Sequence, residues 1–174
     1  MIVAAISLAA VVVLSVLLAR RQPQTAPQEF NPTQFAINGA LQAAQQVYGT
    51  NRDSFPLGQD LIGELHKNDP ELLFAFGPQS VSAPPFASGP LPPTGVSVAV
   101  SSDGKVVVFA AQASDGSCWY ATVNHESDGT DGGIDGASAR SGTSYAVAQN
   151  QPQCDTGNGL PGRATAWGTS WPTS

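Results

Sequence analysis

The sequence has few charged residues, and basic residues are the scarcest. Only 11% of its 174 residues are charged, whereas an ordinary soluble domain has about 25%. Beyond residue 21 the chain has five lysines and arginines, scattered singly, against all thirteen acidic residues, which gives a formal charge of −8. Proteins that bind nucleic acid need clustered cations to contact the phosphate backbone. The composition therefore argues against a nucleic-acid partner.

The chain also lacks the motifs of common enzymes. Nucleotide-binding glycine loops, zinc-ligand spacings and catalytic serine elbows are all missing. Of its two histidines, His66 follows a short apolar stretch and is expected to be a solvated residue at a helix end. His125 is the one candidate general base in the second half, and no nucleophile can be paired with it. We therefore expect a protein that is not an enzyme, and an anchored hydrolase is the third-ranked alternative.

Charge is entirely absent from the N-terminal segment. Residues 2–19 form an apolar run in which two serines are the only polar side chains. As a helix the run would be about 27 Å long, close to the ~30 Å hydrocarbon core of a bilayer. A cleaved signal peptide is the alternative, but no basic residue precedes the run, and the run is longer than the usual apolar region of a signal peptide. The segment is predicted to be a retained membrane anchor.

The anchor is followed by a linker and a helix. Residues 20–31 contain two prolines and several glutamines, a composition typical of an extended linker. Asn31 can cap a helix that has Pro32 in its first turn, and Gly49 is predicted to end it. Apolar residues recur at helical spacing between these points, at Ile37, Ala40, Leu41, Ala44, Val47 and Tyr48. A second, short helix is expected after Asp60.

The second half of the chain has the pattern of a small antiparallel sheet. Valines alternate with small residues over 96–101, and the Asp103-Gly104 turn leads into an apolar stretch over 105–112. A further strand is expected over 118–123. The prediction is an α+β domain in which the amphipathic helix packs on a three-stranded meander. The six prolines of residues 77–93 predict an extended surface crossing.

The two cysteines are expected to form one disulfide, Cys118 to Cys154, which closes the C-terminal loop region. Such a bridge implies an oxidising space outside the cytoplasmic membrane; two separate buried thiols are the alternative. Between the cysteines, Asp128, Asp131 and Asp135 lie in a glycine-rich loop. Calcium takes several such oxygen ligands, so a weak calcium site is one interpretation and a solvated loop is the other. No further cofactor is expected.

Several stretches resemble type IV pilins and the pseudopilins of type II secretion. Residues 40–48 followed by 51–56 look like the family's helix end and its Tyr…Asn…Tyr-Pro exit. Residues 98–120 are similar to pilin-like proteins of actinobacterial type, and Cys154 followed by Trp167 fits their C-terminal pattern. Met1 and the residues after it look like the middle of the family's N-terminal helix. The resemblance thus predicts a missing leader and missing first helical residues.

The resemblance implies a structural subunit of a pilus or pseudopilus-like filament. Residues 1–19 would be the transmembrane and filament-core helix, residues 20–31 the linker, and residues 32–174 the domain outside the cytoplasmic membrane. Sister subunits, an assembly platform and a prepilin peptidase are the implied partners. The family's packing glutamate is not in this sequence, and Pro23 and Pro27 interrupt the usual long helix. A membrane-tethered extracellular binding module is therefore the alternative function.

Overall fold

The computed structural model describes residues 31–77, 95–149, 154–156 and 167–172. These residues form two helices and five strands: α1 (Pro32–Thr50), α2 (Gln59–Asn68), β1 (Leu73–Phe76), β2 (Gly95–Val100), β3 (Val106–Gln112), β4 (Cys118–Asn124) and β5 (Gly142–Ala148). The predicted α+β class is confirmed. The predicted membrane span, most of the linker and most of the proline-rich crossing lie outside the described residues. No helix within the described ranges is long and apolar enough to cross a bilayer.

Helix α1 begins as its sequence predicts. The Asn31 side chain accepts hydrogen bonds from the backbone N–H groups of Thr33 and Gln34, at 3.0 and 3.2 Å. Such a cap satisfies two of the donors that a helix start leaves unpaired. The predicted stop at Gly49 was wrong by one residue, because the helix continues to Thr50 and Asn51 is its C-cap. The predicted apolar positions of α1 are buried, apart from the partly buried Tyr48.

The sheet is larger than the predicted antiparallel meander. The three predicted strands are confirmed as β2, β3 and β4, paired antiparallel. To these the structure adds β5, antiparallel to β4, and β1, which runs parallel to β2. The expectation of an all-antiparallel sheet was therefore wrong, and the five strands form a mixed sheet in the order β1-β2-β3-β4-β5. A parallel neighbour requires a long crossover, which here spans residues 77–94.

Both faces of the sheet are covered. On the helix side, α1 and α2 pack against apolar strand residues that include Val96, Val98, Val107, Phe109, Ala111, Ala121 and Val123. The loop side is the opposite face, where the β4–β5 connection and the disulfide segment cover Val106, Val108, Ala110, Tyr120 and Ala146. Strands buried on both faces read as continuous apolar runs, and this explains the sequence of β3. The loop side is an additional core that the sequence pattern did not predict.

The turn after α1 is attached to the β2–β3 hairpin. The Phe55 backbone N–H donates to the Gly104 carbonyl oxygen at 2.7 Å, and the Lys105 ammonium donates to the Asp53 carbonyl oxygen. Gly104 has φ of +70°, a backbone conformation that favours glycine because it carries no Cβ. The predicted Asp-Gly turn therefore has a second role, since it also holds the chain that leaves the helix.

Candidate interaction surface

The acidic loop, residues 126–136, is held in place by Asn124, the last residue of β4. The buried Asn124 side chain donates hydrogen bonds to the carbonyl oxygens of Thr130 and Ser138, at 2.6 and 3.3 Å. Ile134 is the buried apolar residue of the loop and packs on the loop side of the sheet. The loop is thus an ordered cover of the core and not only a solvated connection.

The three carboxylates predicted as weak calcium ligands have different surroundings. Asp128 accepts a hydrogen bond from the Ser141 backbone N–H at 2.7 Å, and Asp131 accepts one from Gly133 at 3.0 Å. Asp135 is exposed. Among the described residues there is no group of three or more His, Cys, Asp or Glu side chains that could hold a metal ion. Calcium binding stays a prediction that the geometry does not strengthen.

A carboxylate pair lies next to the same loop. A hydrogen bond with Asp103 raises the pKa of Glu126, and burial and the charges of Asp103 and Asp131 raise it further. The pKa of Asp103 is lowered, first by the Ser101 hydroxyl, which donates to it at 2.6 Å, and then by the Lys105 backbone N–H. As the pH falls, Glu126 therefore becomes protonated before Asp103 does. This pair was not found from sequence, because the two residues are far apart in the chain.

His125 contacts a tyrosine of the helix. Its ring stacks on that of Tyr48, with centroids 3.7 Å apart and planes 12° from parallel, while Lys105 lies over the same tyrosine. Burial lowers the pKa of His125, the Lys105 charge lowers it further, and Asp53 opposes both. The candidate general base is therefore an exposed side chain that stacks on α1 at the end of β4. His66 is exposed at the end of α2, as predicted, and its Nδ1 lies 3.2 Å from the Leu72 carbonyl oxygen.

We expect the partial burial of His125, together with the nearby Lys105 charge, to make stability depend on pH. A histidine whose pKa is lower in the folded than in the unfolded state contributes stability that is present above about pH 6.5 and is lost as the pH falls through the folded value. Melting temperatures of the wild type and of His125→Gln should therefore be measured between pH 7.5 and 5. The wild type should lose more stability than the variant over this range. Parallel curves would contradict the assignment.

The β5 edge is where the sheet ends and the C-terminal tail, residues 167–172, attaches. Tyr145 and Gly168 exchange two backbone hydrogen bonds, at 2.8 and 2.9 Å. The Trp171 ring packs against Tyr145 and Trp119, with centroids 4.3 and 5.2 Å apart. Trp167 reaches the other face, where its indole N–H donates to the Gly136 carbonyl oxygen at 3.0 Å. The two tail tryptophans therefore contact the β5 edge on opposite faces of the sheet.

The aromatic cluster of the edge, formed by Trp119, Tyr145 and Trp171, is half-buried. The Trp119 indole N–H donates to the Ser117 hydroxyl at 3.0 Å, and that hydroxyl in turn donates to Asp115 at 2.6 Å. These bonds restrict the orientation of the Trp119 ring. No local signal along the chain predicts the cluster, because its three rings come from two strands and the tail.

The predicted disulfide is confirmed. Cys118 and Cys154 are bonded, with their Cα atoms 5.5 Å apart, and both are fully buried on the loop side of the sheet. Thr156, two residues further on, donates its backbone N–H to the Ser97 hydroxyl at 3.2 Å. Cys154 and Thr156 are therefore both bonded to the sheet.

Comparison with known proteins adds no relative: no family model, no curated protein and no solved structure matches the chain.

Proposed function

We propose that the chain is a structural subunit of a type IV pilus or type II secretion pseudopilus-like filament. The observation that carries the proposal is α1, a helix that follows the N-terminal apolar run and packs across the sheet. Its 19 residues include no charged side chain. Three exposed positions of its second half, Gln42, Gln45 and Gln46, carry neutral amides.

An uncharged helix suits contact with sister helices. Bringing charged side chains into a helix bundle has a high desolvation cost, whereas amides can exchange hydrogen bonds across the contact. The described residues on the opposite side of the domain carry the acidic loop, which stays hydrated. In the filament, α1 and the apolar run would face the core, and the remainder of the domain would face solvent. The proposed location is the cytoplasmic membrane, with the disulfide-bonded domain outside it.

A membrane-tethered binding module is the second candidate, and one observation favours it. Asn31 has extended backbone angles and caps α1 with its side chain. Helix α1 therefore begins at a capped N-terminus. The segment before this helix contains Pro23 and Pro27. A capped helix after a proline-containing linker is suited to a domain that is tethered to the membrane. In this function the β5 edge or the acidic loop would be the contact surface.

Intact mass measurement and N-terminal sequencing of the native protein separate the two functions. If the chain is a filament subunit, we expect a processed terminus with an N-methylated phenylalanine, which is the product of a prepilin peptidase. If the chain is a tethered binding module, we expect an unprocessed Met1. A genome neighbourhood with an assembly ATPase and a prepilin peptidase would add independent support to the filament. An unprocessed terminus would overturn it.

A further inference from the structure

We propose that the groove between the end of α1 and α2 binds the side chain of an arginine that a partner protein presents. This helix groove is lined by residues from 47–56 and from 60–68, and its volume is about 570 Å³. Ligand pockets in proteins usually have volumes of about 300–1,000 Å³. The site goes beyond the proposed function, because it does not depend on filament assembly.

Several donor groups of the helix groove already bond within the chain, and this leaves mainly acceptors for a ligand. The Asn51 side-chain N–H donates to a carbonyl oxygen of the turn after α1 at 3.0 Å, and the Asn68 side-chain N–H donates to the Glu64 carbonyl oxygen at 2.8 Å. An amide that donates through its nitrogen retains its oxygen as an acceptor. The Thr50 hydroxyl donates to backbone carbonyls of its own helix. A ligand of this groove must therefore supply donors.

The charge of the helix groove is negative. Asp60 and Glu64 are four residues apart in α2 and therefore lie on the same face of that helix. The Lys67 ammonium lies 3.5 Å from the Glu64 carboxylate, which leaves the Asp60 carboxylate as the excess charge. The last turn of α1 has no basic residue, and the C-terminal end of a helix carries partial negative charge. Both features favour a cation over a neutral or anionic ligand.

An arginine side chain matches both properties of the groove. Its guanidinium carries a permanent charge and five N–H donors in one plane. Its aliphatic stem can lie along Val47 and Pro56, the apolar residues of the groove. Thr50, Asn51 and Asp60 are exposed, so a side chain on another protein surface can reach the site. The formal charge of −8 beyond residue 21 also attracts basic partners from a distance.

Titration of the isotope-labelled full chain in detergent with the blocked tripeptide acetyl-Gly-Arg-Gly-amide tests the site by NMR. We expect chemical-shift changes confined to residues 47–56 and 60–68, with a Kd of about a few millimolar. The same peptide with citrulline in place of arginine is the matched control, since citrulline has nearly the same shape and no charge. It should bind about tenfold more weakly, because charge-assisted hydrogen bonds are the stronger ones.

Substitutions at Asp60 test which carboxylate binds the guanidinium. Asp60→Asn should weaken binding of the arginine peptide about fivefold, and Asp60→Glu, which keeps the charge, should retain it. Asp135→Asn removes an exposed carboxylate of the acidic loop and should leave the affinity unchanged. Circular dichroism of each variant checks that α2 is intact. The comparison with the citrulline peptide needs no variant, so it decides the proposal even if Asp60→Asn does not fold.

Equal affinities for the arginine and citrulline peptides would overturn the site, as would shift changes outside the helix groove or none at about tenfold the expected Kd. Equal losses from Asp60→Asn and Asp135→Asn would show that only the overall acidity of the domain attracts the peptide, and would also overturn it. Peptide binding by a chain with an unprocessed Met1 would leave the site standing and overturn the filament.

Discussion

Replacing both Cys118 and Cys154 by alanine should lower the free energy of unfolding by about 3–4 kcal/mol. The bridge joins residues 36 apart in sequence, and in the chain-entropy model a closed loop of this length restricts the unfolded chain by about that amount. Both cysteines lie in the loop-side core, and this core has few large apolar side chains. For a domain of this size the expected fall in melting temperature is roughly 10 °C.

Urea unfolding of the full chain in detergent, followed by circular dichroism, measures this change. The wild type unfolded in the presence of a strong reductant is the matched control, and it should behave like the double variant. A difference below about 1 kcal/mol would show that the bridge is incidental to stability.

Gly104→Ala should be strongly destabilising. A Cβ at this position would lie 2.5 Å from the Phe55 carbonyl oxygen, closer than real contacts allow, and the backbone φ is +70°. The turn would have to shift and weaken the bond from the Phe55 N–H to the Gly104 carbonyl. We expect a loss of about 3–4 kcal/mol, the sum of the backbone cost and the displacement of a buried aromatic residue.

Gly116→Ala is the matched control for this prediction. Gly116 has φ of +80°, but a Cβ there would meet no atom within 4 Å. Its substitution should cost only the backbone term, about 1–2 kcal/mol. Denaturant unfolding of both variants isolates the close approach to Phe55. Equal losses would show that the contact between the hairpin and the turn after α1 contributes nothing.

Local signals in the sequence were sufficient for the elements that depend on local physics. Asn31 and Pro32 mark a helix start because they satisfy or remove unpaired N–H groups. Asp103-Gly104 marks a hairpin because the turn needs positive φ. The disulfide followed from there being only two cysteines. These features place α1, β2 and β3 correctly.

The missed strands lack such local signals. β1 has four residues, of which only Phe74 is buried, and its parallel partner follows after a long crossover. In β5 the buried positions are Ser144, Ala146 and Ala148, so no stripe of large apolar residues marks the buried face of this strand. Both strands are specified by pairing with a neighbour, which is tertiary context and not a property of the segment itself.

In the candidate surfaces, too, local features could be predicted from the sequence and contacts between separate elements could not. The acidic loop was recognised by its composition, but its ordering by Asn124 and Ile134 was not. The stacking of His125 on Tyr48 and the packing of Trp171 on the β5 edge join residues from separate elements. No pattern along the chain brings them together, so only the fold could reveal them.

In the proposed filament this disulfide-bonded domain lies outside the cell membrane. To test this, surface filaments are sheared from the source cells, free thiols are alkylated before any reduction, and the chain is analysed by mass spectrometry. We expect the chain to be recovered in the sheared fraction with neither Cys118 nor Cys154 alkylated. Recovery in the cell-associated fraction alone, or with both cysteines alkylated, would contradict it.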